Sequence, residues 1–152
     1  MVKHIWTVLC KESKIDPATN NLTLIEAYDN IQISLNTEDK GYRKGLPIAV
    51  PFALELVSLF FRDNKGEKEE ITGVVAMLDP KGKKLGECPL KAQFRENDDR
   101  VRNITKFDGI ALTISGTYLF QVFTHKKTNA AASELVTAIP INISVSANGE
   151  AL

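Results

Sequence analysis

From Leu135 to Val145 the chain alternates residue by residue. Leu135, Thr137, Ile139, Ile141, Ile143 and Val145 fall on one side of an extended backbone, and Val136, Ala138, Pro140, Asn142 and Ser144 fall on the other. Apolar residues at period two mark a half-buried β-strand, because successive side chains of a strand point to opposite faces. Pro140 has no N–H to offer a neighbouring strand. That places this strand at a sheet edge, or bulged at that point.

Most of the chain repeats this style. Val2 to Cys10 reads as a first strand. Asp16 to Asn21 is a run of turn formers, and Leu22 to Tyr28 returns, continued by Ile31, Ile33 and Leu35. Asn36 to Gly45 is polar and reads as a loop. Phe52 to Phe61 is apolar on both faces, which fits a strand buried on both sides, with a buried helix as the alternative. Ile71 to Leu78 and Lys84 to Phe94 flank Asp79-Pro80-Lys81-Gly82, a tight-turn sequence. Val101 to Phe107, Ile110 to Ile114 and Thr117 to Thr124 complete the set. No segment carries a helical stripe with caps. Short strands separated by turns predict an all-β, two-sheet antiparallel β-sandwich. At 152 residues the chain suffices for one core. We expect a single domain over 1–147 and a frayed tail over 148–152.

Two stretches carry a recognisable pattern: Met77-Leu78-Asp79-Pro80-Lys81-Gly82-Lys83-Lys84-Leu85, and Ile114-Ser115-Gly116-Thr117-Tyr118-Leu119-Phe120-Gln121-Val122. Together with the N-terminal hairpin and its Leu22-Thr23-Leu24-Ile25 return, the chain resembles a family of bacterial domains of unknown function, small immunoglobulin-like β-sandwiches with no assigned activity. The resemblance implies an immunoglobulin-like fold. It brings no functional residues with it.

Charge narrows the partners. The balance of 19 basic and 19 acidic residues lacks the basic excess of a nucleic-acid binder. No run approaches the ~20 apolar residues of a membrane span, and the N-terminus has no leader-like segment. We therefore expect no nucleic-acid or membrane partner and a cytoplasmic location. Cys10 and Cys88 are then expected to be reduced, buried thiols.

Candidate chemistry is sparse. His4 and Cys10 share one strand face but stand six residues apart, roughly 20 Å, and His125 ends a strand facing solvent. No metal-ligand spacing occurs. Glu96, Asp98 and Asp99 could gather to hold calcium weakly, but Arg95, Arg100 and Arg102 flank them and the stretch reads as a self-neutralised, solvated bend. The lysines of two hairpin tips, Lys81, Lys83 and Lys84 and then Lys126 and Lys127, would hold an anion only if the tips met. No catalytic, cofactor-binding or metal residue is assigned, and no cofactor is expected. Two places remain for contact. One is Tyr42, an aromatic in a charged loop beside Arg43 and Lys44. The other is the outward side of the last strand, with Val136, Ala138 and Pro140, where an uncharged edge invites another protein or a second copy of the chain. The leading expectation is a non-catalytic interaction or adaptor domain. A small-ligand module for sugar or anion comes next, and a hydrolytic enzyme third.

Overall fold

A computed structural model describes residues 1–35, 47–126, 129–147 and 149–152. Every regular element in it is a strand: β1 (Val2–Ile15), β2 (Leu22–Ala27), β3 (Asn30–Leu35), β4 (Ile48–Val50), β5 (Leu54–Arg62), β6 (Glu69–Leu78), β7 (Lys84–Phe94), β8 (Arg100–Phe107), β9 (Ile110–Leu112), β10 (Gly116–Lys126), β11 (Asn129–Ala147) and β12 (Glu150–Ala151). The all-β expectation holds. Within the apolar run from Phe52 to Phe61 the regular element is the strand Leu54–Arg62 and not a buried helix. Among the described residues no helix is long and apolar enough to cross a membrane.

The strands form three sheets. One has the order β2-β1-β5-β8. A six-stranded sheet runs β12-β11-β10-β6-β7, with β3 added alongside β11. β4 and β9 form a small third sheet. The six-stranded sheet curls into a half-barrel. The chain passes between the two large sheets within one short span. Tyr28 N–H donates to Leu9 O of β1 at 2.8 Å, and the next residue, Asp29, accepts from Asn142 N–H of β11 at 3.0 Å. β3 then runs parallel to β11, Asn30 beside Asn142 through Leu35 beside Ala147.

Register decides which side chains are inside, because residues opposite each other across a pair share a face. On the first sheet, Leu9, Leu56 and Thr105 form one inward row, and His4, Phe60 and Val101 another. They meet Val75, Met77, Tyr118, Phe120, Val122, Ile141 and Ile143 of the six-stranded sheet in one continuous core. A β-bulge lies between His4 and Trp6. It inserts Ile5, half exposed, and reverses the phase of β1. His4 and Cys10 therefore do not share a face. His4 turns inward, edge-on to Phe60 with centroids 5.6 Å apart, while Trp6, Val8 and Cys10 point outward beside Leu59, Val57 and Glu55.

That outward face is nonetheless partly covered, and Val57 and Cys10 are completely buried. Beyond Cys10 the β1–β2 hairpin curls back over it. The Glu55 carboxylate accepts from both the N–H and the hydroxyl of Ser13, and Lys106 pairs with the same carboxylate at 3.5 Å. At the hairpin tip, Asn20 O accepts from Arg102 at 2.8 Å. β5 is buried on both sides for this reason: the core lies beneath it and its own N-terminal hairpin above.

Of the tail, residue 148 lies outside the described residues and residues 149–152 follow the sheet. β12 pairs with Ser146 and Ala147, Leu152 N–H donates to Val145 O, and Leu152 O accepts from Ser115 N–H. Leu152 packs against the core, so its side chain supplies the apolar anchor that a terminal segment needs to stay ordered.

Candidate functional site

The two histidines, unremarkable in sequence, stand at the same opening. A cavity of about 310 Å³ lies between the sheets where β1 and β6 begin and β5 and β10 end. Phe60 and Ile71 belong to its floor. His4, His125, Glu69, Glu70, Glu134, Thr124 and Val136 line the rest, with Met1 and Val2. No Lys or Arg is among these lining residues.

Both histidines stand beside threonine hydroxyls. His4 Nε2 lies 2.7 Å from Thr7 Oγ1, which lies 2.8 Å from Ser58 Oγ. Ser58 is fully buried, and this chain of hydroxyls satisfies polar groups inside the sheet. Burial holds the His4 pKa below its ordinary value, opposed by a hydrogen bond with the Trp6 backbone. His125 is exposed and sits 3.4 Å from Thr72 Oγ1. Among the carboxylates, Glu70 pairs with Lys91 at 2.9 Å and Glu69 lies 3.9 Å from Arg62. Among the described residues no group of three or more His, Cys, Asp or Glu side chains is arranged to hold a metal ion.

At the bend over residues 95–99 a guanidinium takes the backbone carbonyls. Arg62, buried at the end of β5, donates from Nε to Asp98 O at 2.7 Å. Nη1 donates to Glu67 O at 2.7 Å, and Nη2 to the carbonyls of Arg95 and Glu96. Asp98 accepts from Arg95 N–H and closes the turn. The lysine tips do not meet. Leu78, at the end of β6, pairs with Leu119 near the start of β10. The Lys81–Lys84 turn and Lys126 thus lie at opposite ends of the sheet.

Tyr42, Arg43 and Lys44 lie outside the described residues. Val136, Ala138 and Pro140 are in β11, where the edge expectation divides. Residues 142–147 have β10 or β12 on one side and β3 on the other. Upstream, among the described residues, β11 has a strand partner on one side only, β10. Asn142 N–H points away from β10, toward Asp29. Two residues earlier, the nitrogen of Pro140 faces the same open side, as does the Ala138 N–H, because strand N–H groups alternate in direction. The proline therefore costs the β10 ladder nothing.

Val136 does not face outward with Ala138 and Pro140. A bulge separates the pairs Val122–Thr137 and Phe123–Leu135. It turns Val136 into the cavity and Leu135, 49% exposed, to the outside. The thiols also differ from expectation. Cys10 is fully buried, but Cys88 is half-buried because a cavity of about 390 Å³ between β7 and the β4–β9 sheet reaches it.

No family model matches the chain, and no curated protein matches it.

Proposed function

We propose that this chain is a non-catalytic protein-interaction domain of immunoglobulin-like sandwich type, related to the bacterial family it resembles and working in the cytoplasm. The observation that carries the interaction reading is the half-open edge of β11, where a strand of another protein would add alongside Ala138. Two features support the immunoglobulin-like reading. Tyr118 donates its hydroxyl to Ile114 O, four residues upstream, at 2.7 Å, as the tyrosine corner of such sandwiches does. The β2–β3 run also divides itself between two sheets.

Ala138→Pro tests the edge, since it removes an N–H that points away from β10. A partner retained by the wild type and lost by the folded variant supports the reading. Equal retention by both overturns the edge as the contact.

The cavity between the sheets favours a second reading, a small-ligand module. Its floor is apolar and its rim carries carboxylates and imidazoles, so it suits a neutral or cationic ligand and not an anion. Ligand binding that His4→Ala abolishes and Ala138→Pro leaves intact would replace the first reading with this one.

A further inference from the structure

The outward face of the six-stranded sheet is built differently from that of its neighbour. On the four-stranded sheet the β1–β2 hairpin reaches back over part of the outward face, where Val57 and Cys10 are fully buried. On the six-stranded sheet, pairing sets Val74 beside Phe123 and Leu135, and Leu78 beside Leu119 and Pro140, all directed away from the core. None of the six belongs to the core cluster or packs against it. Between these rows Gln121 stands between Ala76 and Ala138. Across β6, β10 and β11 the central part of this face carries no charged side chain. The nearest charges lie at the margin of the face, Lys84 paired with Glu87 at 2.8 Å and Lys91 paired with Glu70 at 2.9 Å.

We propose that this face docks a second copy of the same chain, sheet against sheet, a partner assignment that rests on the interaction reading above. Charge selects the occupant. A two-fold contact sets a surface against itself, so any field of one sign across it repels. Its centre has none, and its marginal charges form two pairs of opposite sign that two copies present to each other without conflict. The size of the face sets the strength. Four strands about 4.8 Å apart, each about ten residues long at ~3.3 Å per residue, give a footprint of about 600 Å². That is below the ~800 Å² per partner of a standard interface, so the dimer is a weak one that dissociates on dilution.

Sedimentation velocity from about 1 µM to about 500 µM, spanning the range expected of weak association, tests this with the wild type, Leu135→Lys, Phe123→Lys and Ala138→Pro. The wild type should pass reversibly from monomer to dimer. Each lysine should weaken the dimer at least tenfold. Leu135 is already half exposed, so Leu135→Lys decides the question even if Phe123→Lys does not fold. A wild type that stays monomeric throughout overturns the proposal, and so do lysine variants that dimerise as the wild type does. Loss of the dimer in Ala138→Pro alone moves the self-contact to the strand edge. That result overturns the face and leaves the interaction reading standing.

Discussion

The guanidinium of Arg62 lies over the ring of Phe94, 4.9 Å from its centroid, while its N–H groups reach carbonyls on both sides of that ring. One side chain thus joins the end of β5, the β5–β6 connection and the β7–β8 bend. The ring lies beneath the charge, and the carbonyl oxygens surround its edge, where an arginine's planar fork of donors can reach several acceptors at once.

Replacing Arg62 leaves those carbonyls to water or to nothing. We expect Arg62→Ala to cost about 3 kcal/mol, in the range of a broken buried polar network. Arg62→Lys should recover less than half, because an ammonium cannot span the same acceptors. Urea unfolding of the three proteins checks this. A cost for Arg62→Ala under about 1 kcal/mol would show that the bend holds itself.

Tyr118 is fully buried. Its hydroxyl donates to Ile114 O and accepts from Thr113 N–H at 3.0 Å. Tyr118→Phe removes both partners at once, so a loss of about 1–2 kcal/mol is expected. Equilibrium denaturation that finds no change would mean that water replaces the hydroxyl without penalty.

At Gly73 a β-carbon would stand 1.9 Å from Phe123 O. The β6 and β10 backbones meet there too closely for any side chain. Gly73→Ala should therefore lose about 3 kcal/mol, at the upper end of overpacking costs, and its melting temperature should drop by about 10 °C. Calorimetry reads this directly, and an unchanged transition would contradict the strand spacing.

The thiols should react in sequence. Burial, and next the charge of Glu55, push the Cys10 pKa up. Cys10 is therefore both inaccessible and protonated, whereas Cys88 borders a cavity. A chromogenic disulfide reagent should titrate one thiol in the native protein and the second only in denaturant. Cys88→Ser should abolish the native step.

His4 gives stability a pH dependence of known sign. Its folded pKa lies below the ordinary 6.5, so the unfolded chain takes the proton first. The contribution of His4 is complete above pH ~6.5 and declines as the pH falls below it. Denaturant midpoints at about pH 7.5 and about pH 5.5 should differ in that direction, and His4→Asn should reduce the difference. An equal difference in His4→Asn would assign the effect to other groups.

Alternation located nearly every strand, because burial on one face leaves a period-two record in the residues. It failed where an extra residue enters a strand. The bulges at Ile5 and Val136 put His4 and Val136 on the cavity side, and nothing in a string of mixed apolar residues announces such an insertion. The cavity itself was invisible, since five strands far apart in sequence build it. Arg62 opens a polar run, Arg62-Asp63-Asn64-Lys65-Gly66, that gives no sign of its role, because its acceptors are backbone carbonyls and carbonyls leave no mark in a sequence. The cover over Val57 and Cys10 depends on a strand that bends past Cys10, and Ser13 gives no hint that it serves Glu55.

The parallel ladder between β3 and β11 has a consequence for how the chain folds as it is synthesised. Asn30 must wait for Asn142, one of the most distant pairings in the molecule, and closing so long a loop is slow. Until β11 emerges, Ile31 and Ile33 have no sheet to join, and β10 keeps an unguarded edge. The nascent chain therefore exposes β3 for most of its synthesis, the circumstance in which aggregation competes with folding and chaperones are needed.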